Sequence, residues 1–144
     1  MSERDQRITV ENEGHVQSEQ ASVLAMKWKS FRNLIVWQKS MDLAAEVYRL
    51  VKLLPASEGF GLISQMQRAA ISIPSNIAEG FGRYNPKEFA RFLFIANGSR
   101  AELQTQLLLC ERIGFLTREQ TRPSLLLTEE IGKMLFSLSD SLRV

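Results

Sequence analysis

The chain has 144 residues, 44% hydrophobic and 24% charged, enough for one domain with its own core and ordinary for a globular protein. Its formal charge of +2 does not demand a polyanionic partner, and its single cysteine, Cys110, excludes an internal disulfide. No stretch approaches the roughly 20 apolar residues of a membrane-spanning helix, and acidic residues from Glu3 onward argue against a signal peptide, so a cytoplasmic location is expected.

The charge is unevenly placed. Residues 1–27 hold three basic and five acidic side chains, whereas residues 28–144 hold fifteen basic and eleven acidic, a balance of +4. Residues 1–30 are polar with no sustained period and read as a disordered tail, which a chain starting at Met26 would mostly lack. Residues 31–144 read as one folded domain.

The first helix is expected from an N-cap at Asn33 to about Leu54, where Pro55 stops it. It carries two apolar stripes. One is Trp37, Met41, Ala44/Ala45, Tyr48 and Val51; the other is Val36, Leu43, Val47, Leu50 and Leu54. Two stripes are more than one neighbouring helix covers. The turn Ala56-Ser-Glu-Gly-Phe-Gly61 leads to a second helix, from about Leu62 to Phe81, with Met66, Ala69/Ala70, Ile73, Ile77 and Phe81 on its apolar face. Pro74 inside it predicts a bend, or in the alternative reading a break into two short helices. Glu-Gly-Phe-Gly occurs at 58–61 and again at 79–82, bracketing this helix where glycine suits turns and helix ends.

Asn85-Pro86 is a cap followed by a first helical position. The third helix should run to about Ile113, ending at Gly114, and span about 40 Å. Phe89, Phe92/Leu93, Ala96, Leu103, Leu107 and Cys110 form its core stripe, with Phe94, Ile95, Ala101 and Leu108 lying away from it. Gly98 in its interior suggests close approach of another backbone. Thr117 and Gln120 match a capping box. The fourth helix then runs to about Ser141, with Leu127, Ile131, Met134/Leu135, Leu138 and Leu142 inward and Pro123 near its first turns, where it threatens the start. Four helices with short connections and no strand pattern predict an all-α, up-down-up-down antiparallel four-helix bundle.

Enzyme signals are poor, and no catalytic residue, cofactor or metal is expected. The one histidine, His15, lies in the tail. No His, Cys, Asp or Glu cluster has ligand spacing on a helix. Cys110 follows three leucines and reads as core. The two Gly-Phe-Gly runs lack the lysine and strand of a phosphate loop.

The most specific feature is residues 65–83. Gln65, Arg68, Ser72, Ser75/Asn76 and Glu79 recur every three or four residues and share a helix face. In a structural reading, Arg68 pairs with Glu79 or another carboxylate, and the serines and asparagine satisfy backbone groups around Pro74. In a functional reading, Gln65, Arg68 and Asn76 face a partner, with Arg83, Lys87 and Arg91 as a nearby nucleic-acid-binding cluster. No aromatic residue clearly interleaves with that cluster as a stacking platform.

Phe31-Arg-Asn-Leu-Ile-Val-Trp-Gln-Lys-Ser-Met-Asp-Leu43, residues 65–83, Glu88-Phe-Ala-Arg-Phe-Leu93 and Ile95-Ala-Asn-Gly-Ser-Arg-Ala-Glu-Leu103 closely resemble the 23S rRNA intervening-sequence protein family of bacteria, over about residues 31–142. The signature positions are Trp37, Gln38, Gln65, Arg68, Ser72, Pro74, Ser75, Asn76, Glu79, Gly80, Arg83, Phe92, Gly98, Ser99 and Glu102. Ser40 stands where many members have alanine, Asn33 where aspartate is common, and the long tail is a departure. The resemblance implies a small four-helix bundle, a homo-oligomeric ring, often a pentamer, and no catalytic residues. Some members are encoded within insertions in rRNA genes. A related branch, the accessory variability determinants of diversity-generating retroelements, works with a reverse transcriptase and nucleic acid. The function implied is thus a non-enzymatic oligomeric bundle binding RNA, DNA or a nucleic-acid enzyme. The alternative is a protein-interaction scaffold with no nucleic-acid role.

Overall fold

A computed structural model describes residues 29–143. The expected tail lies outside the described residues as far as residue 28. Lys29 and Ser30 are already organised: Lys29 is left-handed (φ 56°), and the Ser30 hydroxyl accepts from Arg32 N across a 3₁₀ turn, Phe31–Asn33.

The four helices are α1 (Ile35–Leu50), α2 (Ser64–Phe81), α3 (Pro86–Arg112) and α4 (Arg118–Ser141). α1 does not use Asn33 as its cap. The N-cap position is Leu34, which has no capping side chain, because Ser30 has capped the 3₁₀ turn before it. A second 3₁₀ turn, Val51–Leu53, carries the chain to Pro55. A wide turn, Gly59–Ile63, then leads into α2, with Gly61 off the helical region (φ −106°, ψ −111°) and the Glu58 carboxylate accepting from Leu62 N. α2 passes through buried Pro74 without a break, so the two-helix alternative does not occur.

α3 starts as its sequence suggests. Asn85 Oδ1 accepts from Glu88 N at 3.1 Å, Pro86 opens the helix, and Gly114 (φ 81°) follows its end. The capping box forms in full: Thr117 Oγ1 accepts from Gln120 N at 3.2 Å, and Gln120 Oε1 accepts from Thr117 N at 2.9 Å. Pro123 is exposed inside α4 and does not move its start.

Contacts fix the directions. Between α2 and α3, Met66 meets Cys110, Ser72 meets Ser99, and Gly80 meets Phe92, so numbers rise on one helix as they fall on the other. Glu111 with Thr121 and Arg100 with Thr128 show the same for α3 and α4, and Lys39 with Glu130 joins α1 to α4. Each helix packs on its chain neighbours, and α1 packs on α4, closing the antiparallel four-helix bundle. Leu43, Val47, Met66, Ile73, Ile77, Leu93, Leu103, Leu107, Ile131 and Leu135 are fully buried at its centre, each stabilising the fold by about 1.5–3 kcal/mol.

Several sequence expectations need correction. Of the two α1 stripes, Val36, Leu43, Val47, Leu50 and Leu54 are buried, while Met41, Ala45 and Tyr48 stay exposed. Gly98 is exposed, and a Cβ there would meet nothing within 4 Å, so no backbone among the described residues approaches it. Gly82 keeps a right-handed conformation; the left-handed residue between α2 and α3 is Tyr84 (φ 53°). In α4, Leu127, Met134 and Leu138 are half-buried, and the small polar residues Thr121, Ser124 and Thr128 are fully buried instead. Hydroxyl residues carry no apolar signal, and the sequence pattern does not mark them as core. Thr121 bonds Glu111, and Thr128 Oγ1 donates to Leu125 O at 2.7 Å. Ser124 Oγ and Gln106 Oε1 have no partner within the described protein.

Candidate functional site

The row on α2 splits into two kinds of residue. Ser72 Oγ lies 2.8 Å from Ser99 Oγ, and Asn76 Nδ2 donates to Ser72 O at 2.7 Å and to Ser72 Oγ at 2.9 Å. This half-buried cluster ties α2 to α3 at mid-length. Gln65, Arg68 and Ser75 are exposed, and their side chains make no hydrogen bond or ion pair among the described residues. The expected Arg68–Glu79 pair does not form. Glu79 lies eleven residues beyond Arg68, three helical turns away, and takes Arg83 instead, at 3.2 Å and one turn off.

Arg83 and Arg91 do come together. Their guanidinium carbons lie 5.3 Å and 4.7 Å from the centroid of the Phe92 ring. Each also has a carboxylate, Glu79 for Arg83 and Glu88 for Arg91 at 3.1 Å. Phe92 was read only as core, yet it is the platform for both cations. It is 6% exposed, so the arginines occupy its accessible face and leave none for a base. Lys87, one turn before Arg91, is exposed and has no ion pair among the described residues. It borders a groove between α3 and α4 rather than the Phe92 platform.

Parts of the outer apolar stripes stand in the open, Met41 and Tyr48 on α1 and Phe94, Ile95, Leu108 and Leu109 on α3, and Ile35 is exposed on another face of α1. Phe136 on α4 was not anticipated; it is 70% exposed, across the groove from Phe94 at 78%. Arg100 was also missed. Its guanidinium meets Asn97 Oδ1 at 2.8 Å and Gln104 Oε1 at 3.1 Å, all neutral partners, and it lies against Gly132, where a Cβ would come within 2.9 Å of it.

Cys110 is buried, with Sγ 3.8 Å from Met66 Sδ. Burial pushes its thiol up from the ordinary value, and the Glu58 carboxylate adds to the rise, the opposite of what a nucleophilic cysteine needs. No group of three potential metal ligands and no helix long and apolar enough to cross a membrane occur among the described residues.

Residues 32–137 match the model of the 23S rRNA-intervening sequence protein family. The chain belongs to that family. A member of the S23 ribosomal protein family from Bacteroides thetaiotaomicron VPI-5482, a crystal structure of unknown function, is 30% identical with a TM-score of 0.68, over 73% of this chain and 98% of that one. Comparison with curated proteins finds no match.

Within this 23S rRNA-intervening sequence protein, the signature residues named above have separate jobs. Ser72, Asn76 and Ser99 form one hydrogen-bonded cluster, and Gly80 and Phe92 form one close packing contact. Those positions hold the fold. Gln65, Arg68 and Ser75 are exposed and make no hydrogen bond or ion pair among the described residues.

Proposed function

We propose that this protein is a non-catalytic four-helix module that works by association: copies assemble, as a pentamer by family resemblance, and the assembly engages a macromolecular partner. The observation that carries this reading is the set of uncovered apolar residues on α1 (Met41, Tyr48) and on α3 outside the groove that Phe94 lines (Ile95, Leu108, Leu109), which a solitary bundle leaves in water. Cys110 is buried with its thiol pushed up, the opposite of an activated nucleophile. Light scattering at micromolar concentration tests the assembly; a monomer there overturns it.

For the partner, the occupied basic cluster weighs toward a protein, and the family resemblance makes a nucleic-acid enzyme of the reverse transcriptase kind the one to expect. Both arginines of the basic cluster already hold a carboxylate, and the aromatic ring between them is covered. Direct RNA or DNA binding is the second reading, supported by the +4 balance of residues 28–144. A ring multiplies that charge around one axis, giving weak, sequence-tolerant contacts that fade as salt rises. Changing Arg83, Lys87 and Arg91 together to glutamine should flatten the salt dependence of an RNA mobility shift and leave the oligomer intact. No shift of mixed RNA or DNA by the unmodified protein at low salt overturns this second reading and leaves the protein scaffold.

A further inference from the structure

We propose that the groove between the start of α3 and the end of α4 is a docking site for an acidic amphipathic helix of another protein. The proposal rests on the association reading above and names the chemistry of the partner.

The groove has a volume of about 410 Å³. Its floor is apolar: Ala90 and Leu93 from α3, Leu135 from α4 and Leu142 just past the end of α4. Phe94 and Phe136 rise as its two walls, 78% and 70% exposed. Open walls of this height do not enclose a small molecule. They suit the apolar stripe of a fifth helix laid along the seam of two others, whose side chains at i, i+3/i+4 and i+7 seat between them.

The charges select the partner. Lys87 and Arg143 border the groove where α3 begins and α4 ends, and no carboxylate among the described residues lines it. Arg143 has only a long contact, 3.7 Å, with exposed Asp140, and Lys87 has no ion pair among the described residues. Beyond Gly132, at the other end, Arg100 is satisfied by neutral acceptors that leave its charge uncompensated. An apolar trough bordered at one end by Lys87 and Arg143, with half-buried Arg100 outside its lining beyond the other end, complements a helix that flanks its apolar stripe with Asp and Glu. A second copy of this chain supplies no such helix: α4, its most acidic, has four carboxylates against three basic groups.

The test uses the full chain and a fluorescent helical peptide of about 18 residues, five turns, with leucines on one face and glutamates beside them. A matched peptide carries lysine for glutamate. Fluorescence anisotropy should show binding of the glutamate peptide only. Phe136→Ser and Lys87→Glu should each weaken it by about tenfold or more, and Lys87→Glu should begin to accept the lysine peptide. Both side chains are exposed, so equal melting temperatures by circular dichroism are expected and show that the variants are folded. Unchanged affinity in both variants, or equal binding of the two peptides, overturns the proposal. Displacement of the peptide by oligouridine overturns it in favour of nucleic acid. Stronger peptide binding after removal of residues 1–28 overturns it in favour of this chain's own tail. Light scattering of the same samples reports on self-assembly separately, so a monomer that still binds the glutamate peptide refutes the oligomer and upholds the groove.

Discussion

Gly80 in α2 lies so close to Phe92 in α3 that a Cβ at position 80 would stand 2.5 Å from Phe92 Cβ and 3.0 Å from the Phe89 ring. Alanine gains about 1 kcal/mol over glycine in a helix interior, but the overpacking penalty of about 1–3 kcal/mol is larger here because two rings must move. Gly80→Ala is therefore expected to lower the urea midpoint. Gly98→Ala, with open space around it, should raise the midpoint by an amount equivalent to about 0.5–1 kcal/mol. A lower midpoint for Gly98→Ala would reveal a second backbone against it in the assembled protein.

Ser72→Ala should destabilise the bundle more than Arg68→Ala. The serine hydroxyl joins Ser99 and Asn76 at the half-buried α2–α3 seam, and its loss strands partners at about 1–3 kcal/mol. Arg68 is exposed without a polar partner, so its removal should fall within about 0.5 kcal/mol of neutral. Arg83→Ala gives up an exposed ion pair, a change of at most about 1 kcal/mol. Thermal melts of the three variants order them. A large loss for Arg68→Ala would place its side chain inside an interface between subunits.

Thr117→Ala removes one half of a reciprocal capping box. The expected loss is about 1 kcal/mol. Thr117→Ser keeps the acceptor and should recover most of it, as chemical denaturation would register.

The Cys110 thiol holds its proton more tightly folded than unfolded. Its contribution to stability is thus complete below the unfolded thiol value of about 8.5 and is lost as pH rises toward the folded value. Between those values the loss approaches about 1.4 kcal/mol per pH unit. The comparison is with Cys110→Ala: stability should fall more steeply above that pH in the unmodified protein. Parallel profiles would show that the thiolate is accommodated in the fold.

The bundle was legible because its punctuation is local. Asn85-Pro86, Gly114 and the Thr117–Gln120 pair depend on groups within three or four residues, and each formed where expected. The α3 core stripe was equally readable, since Phe89 through Cys110 repeat at helical period. The α2 polar row was not, because a period says which side chains share a face and not which neighbour covers that face. Arg68 and Ser72 lie one turn apart on the same row, yet only Ser72 is met by a residue from another helix. Phe92 under two guanidiniums and Phe136 across from Phe94 depend on contacts between helices far apart in the chain. Buried Thr121, Ser124 and Thr128 went unread because hydroxyl residues carry no apolar signal.

Those three hydroxyl residues make α4 unequal along its length. Lifting its first three turns from α3 uncovers, on α4 itself, only the half-buried Leu125 and Leu127, and lets Ser124 and Gln106 reach water. Lifting its later turns uncovers Ile131, Leu135 and Leu142. The helix should therefore peel from its front end. Amides near residues 121–128 should take up deuterium at lower opening free energy than those near 131–135. A protease acting on the native protein should make its first cut in the front half of α4, leaving the α2–α3 pair as the last part to come apart.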